Sequence, residues 1–168
     1  INTVIISPRR WGKTSLVHKV AKLISEEEKN VIICQVDIFN CRTEEEFYTV
    51  FANSLLKSTT TVWEEFVGGV KKYLGRLAPI VSISDATQTY ELSFGIDFKD
   101  SRLSYDEILD LPQVIANDTK KRIVVCIDEF QNINEYEEPL AFQRKLRSHW
   151  QKHTSVCYCL YGSKRHML

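Results

Sequence analysis

Apolar residues follow two rhythms along this chain. Short, nearly unbroken runs occupy residues 3–7 (TVIIS), 31–39 (VIICQVDIF), 122–128 (RIVVCID) and 155–162 (SVCYCLYG). Runs this short and this rich in β-branched side chains predict strands buried on both faces, as a parallel sheet requires. Between them apolar positions recur every three or four residues, the spacing of a helix with one buried stripe. Leu16, Val17, Val20, Leu23 and Ile24 form one stripe, which polar residues 25–30 (SEEEKN) bring to an end. Phe47, Phe51 and Leu55 form a second behind a capping box of Thr43 and Glu46. Trp63, Phe66, Val67, Val70 and Leu74 extend the period as one long helix or two stacked ones, weakened at Gly68 and Gly69. Ser104 and Glu107 cap a helix carrying Ile108, Leu111 and Ile115, in which Pro112 predicts a kink or restart. Pro139 opens the last, with Phe142, Leu146 and Trp150 toward the core.

Residues 80–98 break this order. Tyr90, Leu92, Phe94, Ile96 and Phe98 alternate strictly with polar positions, and PIVSIS precedes them across a polar DATQ. One wet face and one dry face predict a β-hairpin inserted into the α/β core. Four apolar strands separated by helices predict the core itself: a doubly wound, mainly parallel sheet.

Composition narrows the class. A chain of 168 residues, 43% of them apolar, suits one globular domain, residues 1–168. Lys and Arg number 22 and Asp and Glu 22, so no net charge points to nucleic-acid binding. Nothing resembles a membrane span or a signal peptide. The five cysteines contain no C-x-x-C pair, and Cys157 and Cys159 have strand spacing. They read as small buried residues in a reducing, cytoplasmic setting rather than as a zinc or redox centre. His18, His149, His153 and His166 lack metal-ligand spacing and read as surface or helix residues. The chain opens on Ile1 and enters a strand at once, as an excerpt of a longer protein would, with regions expected before and after it.

Residues 5–16 read IISPRRWGKTSL, which matches the phosphate-loop pattern G-x-x-x-x-G-K-[ST] except that Ser7 stands at the first glycine. A bare Gly-Lys-Thr is a weak signal. Its place between a buried strand and a helix strengthens it, because exposed N–H groups and a helix N-terminus favour an anion there. Gly12 lets the backbone close on phosphate, Lys13 can reach the β- and γ-phosphates, and the Thr14 hydroxyl can hold Mg2+. The candidate nucleotide-binding stretch is therefore Ser7, Pro8, Arg9, Arg10, Trp11, Gly12, Lys13, Thr14 and Ser15. Arg9 and Arg10 read as solvated loop charges before they read as phosphate or subunit contacts, and Trp11 as local packing before adenine stacking. A second signal is independent of the first. In residues 123–130, IVVCIDEF, two carboxylates end an apolar strand, a costly place unless something uses them. Asp128 suits the metal and Glu129 the activation of water.

Together SPRRWGKTSL and VVCIDEFQNI resemble P-loop ATPases of the additional-strand, catalytic-glutamate division. More narrowly, they resemble an archaeal and bacterial ATPase family close to the AAA+ and STAND ATPases. The resemblance implies bound ATP and Mg2+, and a sheet ordered second, third, fourth, first strand of the four core strands. It places the strand ending CLYGS between the loop strand and the Asp-Glu strand, and puts Ser163 at a sensor position, with Lys164 or Arg165 as substitutes. Gln131 reads as a turn residue before a contact to the water network. Arg144 and Arg147 read as a charged helix face before an arginine finger. The resemblance also implies a helical lid and a DNA-binding or effector domain beyond this segment, and homo-oligomers. The expected function is hydrolysis of MgATP to drive or switch an attached domain, with Glu129, Lys13 and Ser163 catalytic and Thr14 and Asp128 on the metal. The alternative is a nucleotide-gated interaction switch with little or no hydrolysis. The Asn-Lys-x-Asp string of GTPases is absent. Small-molecule kinases have no need of the Asp-Glu pair.

Overall fold

A computed structural model of the chain describes residues 2–59, the strand backbones at 80–83 and 90–93, and residues 104–163. The helical period from Trp63 to Leu74, the alternating Phe94, Ile96 and Phe98, and Lys164, Arg165 and His166 lie outside the described residues.

The elements run β1 (Thr3–Ser7), α1 (Lys13–Glu27), β2 (Val31–Asp37), α2 (Glu44–Ser58), β3 (Ile80–Ile83), β4 (Tyr90–Ser93), α3 (Tyr105–Thr119), β5 (Arg122–Asp128), a 3-10 helix (Phe130–Glu135), α4 (Pro139–Trp150) and β6 (Val156–Ser163). The core sheet is parallel, in the order β1-β6-β5-β2, as the motifs imply. The strand after α4 thus sits between the loop strand and the Asp-Glu strand. β3 and β4 pair antiparallel as a separate hairpin, Ile80 opposite Ser93 and Ile83 opposite Tyr90.

Helices cover both faces of the sheet. Ile32, Cys34, Val36, Ile123, Val125, Ile127, Val156 and Tyr158 point to one face and are buried under α2, α3 and α4. Phe47 and Phe51 stack at 5.5 Å, Phe142 meets Phe47 edge-on at 5.0 Å, and Trp150 stacks on Tyr158 at 4.2 Å. Offset and edge-to-face pairs of this kind add to the burial of their rings. Ser104 and Glu107 form the full reciprocal capping box. Thr43 caps α2 by accepting from the Glu46 N–H, but the Glu46 carboxylate accepts from the Arg42 N–H instead, so that box is only half made. α3 runs through Pro112 as one helix of 15 residues, so the helix does not restart there. The ring removes a single backbone bond, and the buried Ile108, Leu109, Leu111 and Ile115 around it hold the helix together.

The other face is thinner. Val17 and Ala21 of α1 are buried against Ile5, Ile33, Val124, Cys126 and Cys159, but Leu16, Val20 and Leu23 are 55%, 44% and 45% exposed. β1 departs from the expected strand buried on both faces: it pairs with β6 alone, and its Val4 and Ile6 are 57% and 45% exposed. Its apolar sequence speaks of burial, yet among the described residues no element lies beyond its outer edge.

Candidate nucleotide-binding site

Parallel strands deliver their carboxyl ends to one rim of the sheet, and the candidate residues meet there. Ser7 ends β1 and lies in register with Ser163, the last residue of β6. Asp37 ends β2 in register with Asp128, which ends β5. The loop between β1 and α1 turns through two left-handed residues, Arg10 at φ 68° and Gly12 at φ 77°, before α1 starts at Lys13. Glycine takes that conformation without a Cβ penalty.

Lys13 is a buried cation, 8% exposed, and its Nζ donates to the carbonyls of Ser7 at 3.1 Å and Pro8 at 3.2 Å. The ammonium thus lies across the mouth of its own loop. One residue on, the Thr14 hydroxyl donates to Asp128 Oδ2 at 2.7 Å and joins the two motifs. Asp128 Oδ1 accepts from the Glu129 N–H at 2.8 Å. Burial raises the Asp128 carboxyl above the ordinary carboxylate range; the bonds from Thr14 and Glu129 oppose the rise, and the Glu129 and Asp37 charges add to it.

Glu129 has a left-handed backbone, φ 52°, at the turn into the 3-10 helix. Its Oε2 accepts from Gln131 Nε2, and Gln131 Oε1 accepts from the Ser163 N–H at 3.1 Å. Ser163 is therefore brought to the Asp-Glu pair through the Gln131 carboxamide. Asn132 reaches across to the carbonyl of Phe39 at 3.0 Å and ties this turn to the end of β2. Among the described residues no three His, Cys, Asp or Glu side chains form a ready metal cage.

A profile of the family described as Predicted AAA-ATPase matches residues 2–158. The chain belongs to that family. Its fold is similar to that of several solved structures. The Walker-type ATPase PABY2304 of Pyrococcus abyssi is 17% identical, with a TM-score of 0.54 over 95% of this chain and 39% of that one. The Aeropyrum pernix ORC2 protein in its ADPNP-ADP complexes is 15% identical, with a TM-score of 0.51 over 96% and 34%. Cdc6p of Pyrobaculum aerophilum is 15% identical, with a TM-score of 0.50 over 97% and 32%. The chain thus spans 32% to 39% of the length of these structures. No curated protein is detectably similar in sequence.

This AAA-ATPase chain places some expected residues differently. Trp11 does not pack locally: it is 75% exposed at the loop tip, and Pro8, Arg9, Arg10 and Ser15 are exposed with it. The loop rises above the thin layer of the fold, where few neighbours are available to cover it. Gln131 sits in the 3-10 turn that follows Glu129, but its side chain is 6% exposed, enclosed between Glu129 and β6. His18 is exposed on α1 and His149 lies on α4, as expected; the His149 and His153 side chains are nonetheless only 12% and 3% exposed, and both converge on Asp110. The packing of α3 against α4 encloses them. Arg144 and Arg147 are exposed on α4. Asp37 escaped the sequence reading: it ends β2 as Asp128 ends β5, but in the sequence it lies inside the apolar run VIICQVDIF. Gly162 escaped it because only the three-dimensional neighbour Gln131 gives it meaning. No described helix is long and apolar enough to cross a membrane.

Proposed function

We propose that this chain is the nucleotide-binding core of an ATPase that hydrolyses MgATP to ADP and phosphate to drive or switch an attached domain. One observation carries the reading. The Thr14–Asp128 hydrogen bond, 2.7 Å long and spanning 114 positions, sets the phosphate-loop motif beside the Asp-Glu motif. Neither motif alone is decisive, and their meeting at one rim is what the chemistry requires.

Residues 7–15 wrap the triphosphate with backbone N–H groups at the start of α1. Lys13 exchanges the Ser7 and Pro8 carbonyls, which already hold its ammonium at 3.1 and 3.2 Å, for phosphate oxygens. Thr14 and Asp128 offer neighbouring hard oxygen donors, the chemistry that suits Mg2+, and they would hold it. Held by these two residues, Mg2+ would supply charge neutralisation for the transferred phosphoryl group. Glu129 accepts a proton from the attacking water, a contribution of roughly 10²- to 10⁴-fold in rate. Ser163, at the end of the strand between β1 and β5, contacts the γ-phosphate. The five free thiols, Cys34, Cys41, Cys126, Cys157 and Cys159, support a reducing, cytoplasmic setting.

Two variants test the assignment. Lys13→Ala should abolish ATP binding measured by calorimetry, whereas Glu129→Gln should bind ATP and lose turnover. Normal turnover in Glu129→Gln removes Glu129 as the base. Tight binding without turnover in the unsubstituted protein, with and without candidate partners, leaves the nucleotide-gated switch instead.

A further inference from the structure

The 3-10 helix after Glu129 turns the chain back on itself, and Gln131 thereby lies beside the residue two positions before it. Its carboxamide bridges two groups of opposite kind, the Glu129 carboxylate and the Ser163 N–H, while Nε2 also lies 3.5 Å from Asn132 Oδ1. An ionised carboxylate only accepts and a backbone N–H only donates, so nitrogen must face Glu129 and oxygen must face Ser163. No other side chain of this length supplies both. With the residue 6% exposed, water is a poor substitute for either bond. Gly162 makes room for the arrangement: a Cβ there would lie 1.9 Å from Gln131 Oε1 and 3.3 Å from the Phe130 nitrogen.

We infer that Gln131 is a positioning residue that ties the Glu129 carboxylate to the carboxyl end of β6, so that Glu129 turns with Ser163. The inference rests on the proposed role of Glu129 as base. The amide grips Oε2 of Glu129, which leaves Oε1 to meet water. Any displacement of Ser163 toward a bound γ-phosphate is passed through the same amide to Glu129. Gln131 touches neither substrate nor metal in this scheme; it acts through its two neighbours.

The test compares Gln131→Leu, Gln131→Glu and Gly162→Ala in the full-length protein, with Glu129→Gln beside them. Steady-state kinetics, ATP affinity and hydrogen exchange at the Ser163 amide are the readouts. Gln131→Leu should lower kcat roughly 10- to 100-fold, the range expected when a reacting group is misplaced by about 1 Å, with KM and ATP affinity nearly unchanged. The Ser163 amide should lose protection in the same variant. Gln131→Glu keeps the volume and the acceptor for Ser163 but sets a second carboxylate against Glu129, so kcat should fall while Ser163 stays protected. Gly162→Ala should reproduce the leucine result by pushing the amide off Ser163. Wild-type kcat in both Gln131 variants, a loss that resides in KM, or unchanged Ser163 exchange in Gln131→Leu overturns the inference. Lost turnover in Glu129→Gln together with wild-type kcat at Gln131 sinks this coupling alone. Normal turnover in Glu129→Gln sinks the base on which it rests. If Gln131→Leu does not fold, the isosteric Gln131→Glu decides.

Discussion

The two faces of the sheet are built to different standards. Under α2, α3 and α4, aromatic rings interlock and Phe47, Tyr48, Phe51, Phe142 and Tyr158 are essentially inaccessible to water. Under α1, Val17 and Ala21 are the two apolar helix residues that are buried, and a cavity of about 200 Å³ remains between Leu16, Val20, Ile24 and the strands. The candidate site draws on both. Asp128, Glu129 and Ser163 stand at the ends of the two central strands, whose other faces are locked into the dense layer. The phosphate loop rests on the thin one, held by the contacts of Lys13 and Thr14. A stiff acidic rim and a lightly held loop suit a site that keeps its catalytic carboxylates in place while the loop adapts to a ligand.

The largest expected effect breaks this comparison if it fails. Phe142 is 0% exposed and packs on Phe47, Tyr48 and Tyr136. Phe142→Ala should cost about 3–5 kcal/mol in urea unfolding, from lost burial and from the cavity left behind. Val20→Ala, at a position 44% exposed on α1, should change stability by about 0.5 kcal/mol or less, because alanine recovers helix propensity for what little packing is lost. Equal costs would mean that the thin face is as well packed as the dense one.

Two glycines carry the comparison to the backbone. Gly12, on the thin side, has φ 77° and nothing within 4 Å of the place a Cβ would take; Gly162, on the dense side, has Gln131 in that place. The first is a conformational requirement and the second a steric one. Gly12→Ala should therefore cost roughly 1–2 kcal/mol of stability, the penalty for a left-handed L-residue, without disturbing any neighbour. Chemical shifts in the protein should change in the loop alone; changes that spread to Tyr161 or Asp128 would show contacts at Gly12 that the geometry lacks.

How far the sequence foretold all this depends on the range of each signal. The core strands and the described helices with their caps are local patterns, and the chain carried them openly; the order of the four core strands came from the family resemblance instead. The Thr14–Asp128 meeting was legible too, because each motif has a fixed place on its strand or loop. Exposure was not. TVIIS has the composition of a buried strand, yet nothing in five residues says whether a neighbour lies on one side or on both. Gln131 and the His149–His153–Asp110 cluster were missed for a related reason. A polar residue between a turn and a helix looks solvated until the partner that encloses it is known, and those partners stand 32 to 43 positions away.

The smallest effect has the opposite sign and concerns the contact between the two regions. Burial comes first in raising the Asp128 carboxyl above its ordinary value of 3.8, and the bonds from Thr14 and the Glu129 N–H only partly offset it. The folded chain therefore holds that proton more tightly than the unfolded chain does. Stability from this group is fully present below the ordinary carboxylate pKa and is lost as pH rises through the raised folded value. At neutral pH the ionised carboxylate is a standing cost, one that bound Mg2+ would relieve. Asp128→Asn removes the charge and keeps both hydrogen bonds, since its oxygen still accepts from the Glu129 N–H and the Thr14 hydroxyl can accept from its amide. The variant should unfold at higher urea than the parent at neutral pH, with the same dependence on denaturant, and the gain should shrink toward acid as the parent takes up its proton. It should also bind ATP with less benefit from Mg2+. A less stable variant at neutral pH would mean that the Asp128 charge strengthens those two hydrogen bonds by more than its burial costs.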